Sequence, residues 1–114
     1  MSNQSIDSIL ELFSKEHFQE ALDAIDELII DEPNDALLFN IRGACYAGLG
    51  QLIVAKENYI KATKINPQYS KAHFNLAGVL HELDELDNSI ESYQNALAIE
   101  PEYPEAHNNL GNVY

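Results

Sequence analysis

Few residues in this chain could do chemistry, and their spacing argues against catalysis. Histidines stand at 17, 73, 81 and 107. His73 and His107 are 34 residues apart, not the i, i+4 pair that lets one helix face hold a metal ion. Neither His17 nor His81 has a cysteine or histidine at ligand spacing. There is no glycine-rich phosphate loop and no serine elbow. Acid pairs such as Asp26-Glu27 and Asp84-Glu85 fall where solvated faces and turns belong. Cys45, the one cysteine, excludes an internal disulfide and suits a reducing, cytoplasmic compartment. It falls on the apolar side of its segment, as an inert packed thiol does. Enzymatic activity, a metal and a cofactor are therefore not expected. What remains is amide chemistry. Asn75 and Asn109 are also 34 apart, and an asparagine side chain can both donate and accept, so it can bracket a peptide bond of an extended ligand.

That interval organises the whole chain. Pro33, Pro67 and Pro101 sit 34 residues apart. Ala55-x3-Tyr59-x2-Ala62 recurs as Ser89-x3-Tyr93-x2-Ala96, and Ala72-His73-x2-Leu76 recurs as Ala106-His107-x2-Leu110. A fixed period of this size marks stacked helical units. Ile6, Ile9, Leu10 and Phe13 follow an i, i+3, i+4, i+7 pattern, which predicts a helix over 5–14. A second helix is predicted from Phe18 to Ile30, with Pro33 stopping it and Asn34 or Asp35 capping the next. Further helices are expected over about 36–49, closed by Gly50, and then 52–65, 71–83 with Ser70 as cap, 87–99, and from Pro104 to Tyr114. Seven helices with short connections and no strand-like alternation give an all-α chain of helical hairpins. No low-complexity linker divides it, so 1–114 reads as one domain with units at about 2–35, 36–69 and 70–103 and a half unit at 104–114.

Charge narrows the partners. Six basic residues oppose 19 acidic ones, a net charge of −13. Residues 36–69 carry +3, flanked by −9 over 1–35 and −7 over 70–114. Nucleic acid needs clustered Lys and Arg, and anionic membrane surfaces repel such a chain, so neither is an expected partner. A basic protein or peptide is the sharper reading of that charge, and solubility with no partner the plainer one. No apolar run approaches the ~18 residues of a membrane span. The N-terminus, with no basic region and no small-residue cleavage site, carries no secretory signal of the usual kind.

The landmarks resemble the tetratricopeptide (TPR) repeat. Phe39-x2-Arg42-Gly43-x2-Tyr46, Ala55-x3-Tyr59-x2-Ala62 and Pro67 make one copy. His73-x2-Leu76-Ala77-x2-Leu80, Ser89-x3-Tyr93-x2-Ala96 and Pro101 make the next. His107-x2-Leu110-Gly111-x2-Tyr114 opens another. Residues 2–35 fit more loosely, through Ala21-x3-Ile25-x2-Leu28 and Pro33. The resemblance implies a right-handed superhelix of antiparallel hairpins, with each unit's first helix lining a concave groove that binds peptides or partner segments. Mapped onto this chain, the groove takes Ile6 and Leu10, then Leu37, Asn40, Ile41 and Ala44, then Lys71, Phe74, Asn75, Gly78 and Glu82, then Glu105, Asn108, Asn109 and Asn112. Asn75 and Asn109 are similar to the asparagine ladder of glycosyltransferase TPR regions, broken at Ile41. The carboxylate clamp of chaperone-binding TPR domains needs several converging cations, and here Lys71 stands nearly alone, with Glu105 at its equivalent place.

Three expectations follow from the physics. Gly43, Ala77 and Gly111, with Ala21, Ala55 and Ser89, let paired helices approach closely, and Tyr46, Tyr59, Tyr93 and Tyr114 fill the space between units. Arg42, at the place of Leu76 and Leu110, packs its stem and pairs its head. Leu110, Val113 and Tyr114 have no following helix, which suggests a piece from the N-terminal part of a longer repeat protein, or self-association through that end. A protein-interaction scaffold is the first functional reading, and the substrate-selecting arm of a larger enzyme is the alternative.

Overall fold

In the computed structural model, which describes residues 5–114, helix follows helix with only short turns between. They are α1 (Ile6–Ser14), α2 (Phe18–Asp31), α3 (Ala36–Gly48), α4 (Leu52–Ile65), α5 (Ser70–Glu82), α6 (Leu86–Ile99) and α7 (Pro104–Val113). No strand occurs among the described residues.

Local chemistry places the ends. Asp35 caps α3, its carboxylate accepting from the backbone N–H of Leu37 at 3.0 Å and Leu38 at 3.4 Å. Ser70 does not cap α5 as expected. It is the first helical residue, Tyr69 occupies the cap position, and the Ser70 hydroxyl donates to Glu100 at 2.8 Å instead. Each tight turn inside a hairpin contains one left-handed residue: Glu16 (φ 61°), Gly50 (φ 78°) and Asp84 (φ 62°), spaced by the same 34 residues. Only glycine adopts that conformation without steric cost, so the other two sites carry mild strain.

Each helix packs on the next, α3 also touches α5, and α5 touches α7. The stack measures 46 × 25 × 21 Å, elongated as a one-dimensional array of pairs is. Its core is a row of three clusters. The first gathers Ile9, Leu22, Ile25, Leu38 and Cys45; the second Tyr59, Leu76, Val79 and Leu80; the third Ala77, Tyr93, Tyr103 and Ala106. The recurring small residues Ala21, Ala55 and Ser89 are wholly buried. Ser89 fits a site otherwise held by alanine because its hydroxyl donates to the Ala77 carbonyl at 2.7 Å.

Tyr46, Tyr59 and Tyr93 fill the junctions as expected, Tyr46 touching the first and second clusters. Tyr114 does not, at 79% exposed. The glycines divide too. A Cβ at Gly43 would lie 2.7 Å from the Tyr59 ring, whereas one at Gly111 would meet nothing within 4 Å. Close approach is thus required at Gly43 and not at Gly111. Gly48 is a contact the repeat pattern does not announce, since a Cβ there would lie 2.5 Å from the Phe18 ring.

Candidate peptide-binding groove

The inner wall is made by the first helix of each pair, and one cavity spans three of them. It has a volume of about 240 Å3 between α1, α3 and α5. Leu10 and Leu37 face it, with Ile41 and Ala44 beside them and Lys71 and Asn75 from α5 on its edge. Leu10 is 43% exposed and Leu37 is 38% exposed, so the cavity joins two of the chain's large accessible aliphatic side chains. Ile41 is nearly covered, because it also belongs to the first core cluster.

The asparagines are wired together. Asn75 Nδ2 donates to Asn40 Oδ1 at 3.0 Å, and Asn40 Nδ2 donates to the Tyr69 hydroxyl at 3.3 Å. Asn40 is buried, and this chain satisfies both ends of its amide. Asn40 therefore braces Asn75 rather than meeting a ligand itself. With one N–H engaged, Asn75 keeps its carbonyl oxygen and a second N–H for other partners. Burial raises the Tyr69 phenol above its ordinary pKa, and the Asn40 hydrogen bond pulls the other way. Half-buried Asn109, at the place of Asn75 one unit on, lies near the Tyr93 hydroxyl, whose pKa burial raises. Asn112 is exposed on α7.

Phe74 departs from the groove-lining place expected of it. Its ring stacks on Tyr103, centroids 4.9 Å apart at 21°, and meets Tyr93 edge-on at 5.9 Å. It is half-buried and joins the third core cluster, so it holds α5 to the following pair. Tyr69 and Phe13 line the cavity although the sequence mapping placed neither in the groove. The pairing of Tyr69 with Tyr103 at the 34-residue interval was the available signal.

Lys71 is exposed and makes no ion pair among the described residues. The head of Arg42 is paired, as expected. Nε donates to Asp26 at 3.0 Å, Nη1 donates to buried Asn58 at 2.9 Å, and the guanidinium lies 5.3 Å from the Tyr46 ring centre. His73 and His107 each use Nε2 to donate to a proline carbonyl, of Pro67 at 3.0 Å and Pro101 at 2.8 Å. They fasten equivalent corners. No metal-holding group of His, Cys, Asp or Glu occurs among the described residues. Cys45 is fully buried, and desolvation pushes its thiol up to about 11.

Antiparallel helix pairs stacked along one axis, with a concave inner wall, define an α-solenoid. Residues 37–69 match the tetratricopeptide repeat and residues 78–114 match the TPR repeat, together more than half of the chain. The chain belongs to the tetratricopeptide repeat family. Among curated relatives it is 32% identical over 79 residues to inactive TPR repeat-containing thioredoxin TTL3 of Arabidopsis thaliana, covering 69% of this chain and 11% of that protein. It is 30% identical over 81 residues to Hsp70-Hsp90 organizing protein 1 of Glycine max, covering 71% and 14%. It thus spans about an eighth of the length of these relatives. The first TPR of Spaghetti (RPAP3), solved bound to HSP90 peptide SRMEEVD, superposes with a TM-score of 0.90 at 24% identity, covering 94% of this chain and 85% of that one. This likeness concerns the fold.

Proposed function

We propose that this chain is a protein-interaction scaffold, one domain of stacked repeats that receives a peptide or partner segment along the wall formed by α1, α3, α5 and α7. The observation that carries the reading is the cavity where Leu10 and Leu37 stand open beside the braced Asn75 and the unpaired Lys71. Apolar surface of this kind, rimmed by polar groups, is what interaction sites offer. Lys71, Asn75, Asn109 and Asn112 supply polar contacts to the ligand, Ile41 supplies the floor, and Asn40 and Phe74 hold the wall in shape. Binding rather than catalysis is the role, in a cytoplasmic setting that suits the buried free thiol of Cys45.

The peptide-bound RPAP3 domain and the Hsp70-Hsp90 organizing protein support a peptide ligand. They do not transfer its charge. SRMEEVD carries three acidic side chains, and this wall meets them with Lys71 alone in a chain of net −13. A mixed or basic segment fits better.

The test is selection of a displayed random heptapeptide library on the purified chain and, in parallel, on Leu37→Glu. Leu37 is 38% exposed at the start of α3, so the substitution should leave the fold in place, as circular dichroism would check. Sequences enriched on the native chain and lost on the variant are expected. No enrichment, or ligands that hold the variant equally well, would refute the groove.

A further inference from the structure

Equivalent places along the inner wall hold different residues, and the differences amount to a pattern. At one place on successive inner helices stand Leu37, Lys71 and Glu105. At another stand Leu10, Ala44, Gly78 and Asn112. The wall is therefore aliphatic between α1 and α3, cationic at the start of α5 and anionic at the start of α7. Lys71 and Glu105 are both exposed, and neither makes an ion pair among the described residues. Three of the other basic residues do: Lys15 with Glu11, Arg42 with Asp26, and Lys56 with Glu85. A lysine left unpaired in so acidic a chain, on the edge of an apolar cavity, is placed to meet a carboxylate from elsewhere.

We propose that the groove reads an internal, extended segment with an aliphatic anchor, a carboxylate two residues on, and a cationic side chain about three residues beyond that. This inference rests on the scaffold reading above and deepens it. The anchor enters between Leu10 and Leu37. A cavity of about 240 Å3 has ample room for an isobutyl or sec-butyl group, since an apolar cavity of ~150 Å3 holds benzene. Leu10, Leu37, Ile41 and Ala44, with Phe13, make the apolar side of the cavity, where an aliphatic anchor is favoured over a polar one that would give up hydration. The carboxylate meets Lys71, the one charged residue lining the cavity. The spacing to the cation follows from packing. α5 touches α7, and packed helices lie about 10 Å apart. An extended chain covers that in about three residues at ~3.3 Å each. The Asn75 carbonyl oxygen lies on this path and accepts a ligand N–H. A wholly acidic ligand would meet Glu105 at the second place, so the wall selects against it.

The experiment titrates the full chain against a fluorescent, end-blocked peptide, GGLSESSKGG, whose blocked C-terminus removes any terminal carboxylate. Saturable binding is expected. Replacing the peptide leucine by alanine should weaken it about tenfold, as loss of a buried aliphatic group does. Replacing its glutamate by glutamine should weaken it up to about fivefold, as an exposed ion pair allows. On Lys71→Glu the preference should invert, with GGLSKSSKGG binding tighter than the parent. No saturation by about 1 mM, an alanine peptide that binds equally, or a preference that does not invert would overturn the inference. The displayed library separates the two readings. Groove-dependent ligands without an aliphatic anchor sink this inference and leave the scaffold standing, while no groove-dependent ligand sinks both.

Discussion

Gly43 and Gly111 occupy the same place in two repeats, yet the structure assigns opposite signs to the same substitution. A Cβ on Gly43 would sit 2.7 and 2.8 Å from two ring carbons of Tyr59 and 3.2 Å from the Ala55 carbonyl oxygen. Tyr59 is 4% exposed and packed with Leu76, Val79 and Leu80, so its ring has nowhere to go. The carbonyl is backbone and cannot withdraw without moving α4. Overpacking costs about 1–3 kcal/mol, and two contacts under 3.0 Å against a ring packed on every side put this site at about 2–3. Replacing a helix-interior glycine by alanine returns about 1 kcal/mol of that. Gly43→Ala should therefore lose on the order of 1–2 kcal/mol. At Gly111 the propensity gain has nothing to oppose it within 4 Å. Its place in the last turn of α7 limits the gain to about 0.5 kcal/mol. Thermal and urea unfolding followed by circular dichroism would read both. At about 4 °C per kcal/mol for a chain of this size, Gly43→Ala should melt roughly 4–8 °C lower and Gly111→Ala slightly higher. Two shifts of the same sign, or a Gly43→Ala protein as stable as the parent, would refute the packing argument.

Other outcomes follow from single contacts. Arg42→Ala should cost about 1–3 kcal/mol because it strands the buried Asn58 carbonyl oxygen, whereas Asp26→Asn, which removes only a half-exposed partner, should cost under about 1 kcal/mol; urea titrations of the two variants decide. Glu16→Gly should stabilise by up to about 1 kcal/mol by relieving a left-handed residue, and Gly50→Ala should destabilise by a similar amount, both read by melting temperature. Burial raises the folded-state pKa of Cys45 to about 11 and raises Tyr59 in the same direction, so the proton is held more tightly in the native state. That stability is complete below the unfolded thiol value near 9 and is lost as pH climbs toward 11, on the order of 2 kcal/mol from Cys45, and Cys45→Ala should flatten the fall in urea midpoint across that window. Phe74→Ala should cost about 2–3 kcal/mol in unfolding free energy by removing a half-buried ring stacked on Tyr103, so a groove variant built on it would report folding as well as binding.

The sequence by itself determined the helices and their order. Helix-period apolar spacing, prolines that cannot continue a helix and a 34-residue recurrence are local or periodic signals, and each acts through the chain's own backbone. Asp84 could be read as taking the glycine's place in a turn, because the recurrence put it at the position of Gly50. What each inward residue touches was decided only by the tertiary structure. Phe74 and Leu37 both read as groove-lining aliphatic or aromatic side chains, yet one is spent on Tyr103 and the other stays open. Asn40 and Asn75 are 35 residues apart, one off the repeat, so periodicity could not pair them, and their hydrogen bond exists because α3 and α5 lie side by side. The same holds for the two glycines. Their chemistry is identical, and the neighbour that makes one indispensable arrives from a helix whose distance no local pattern encodes.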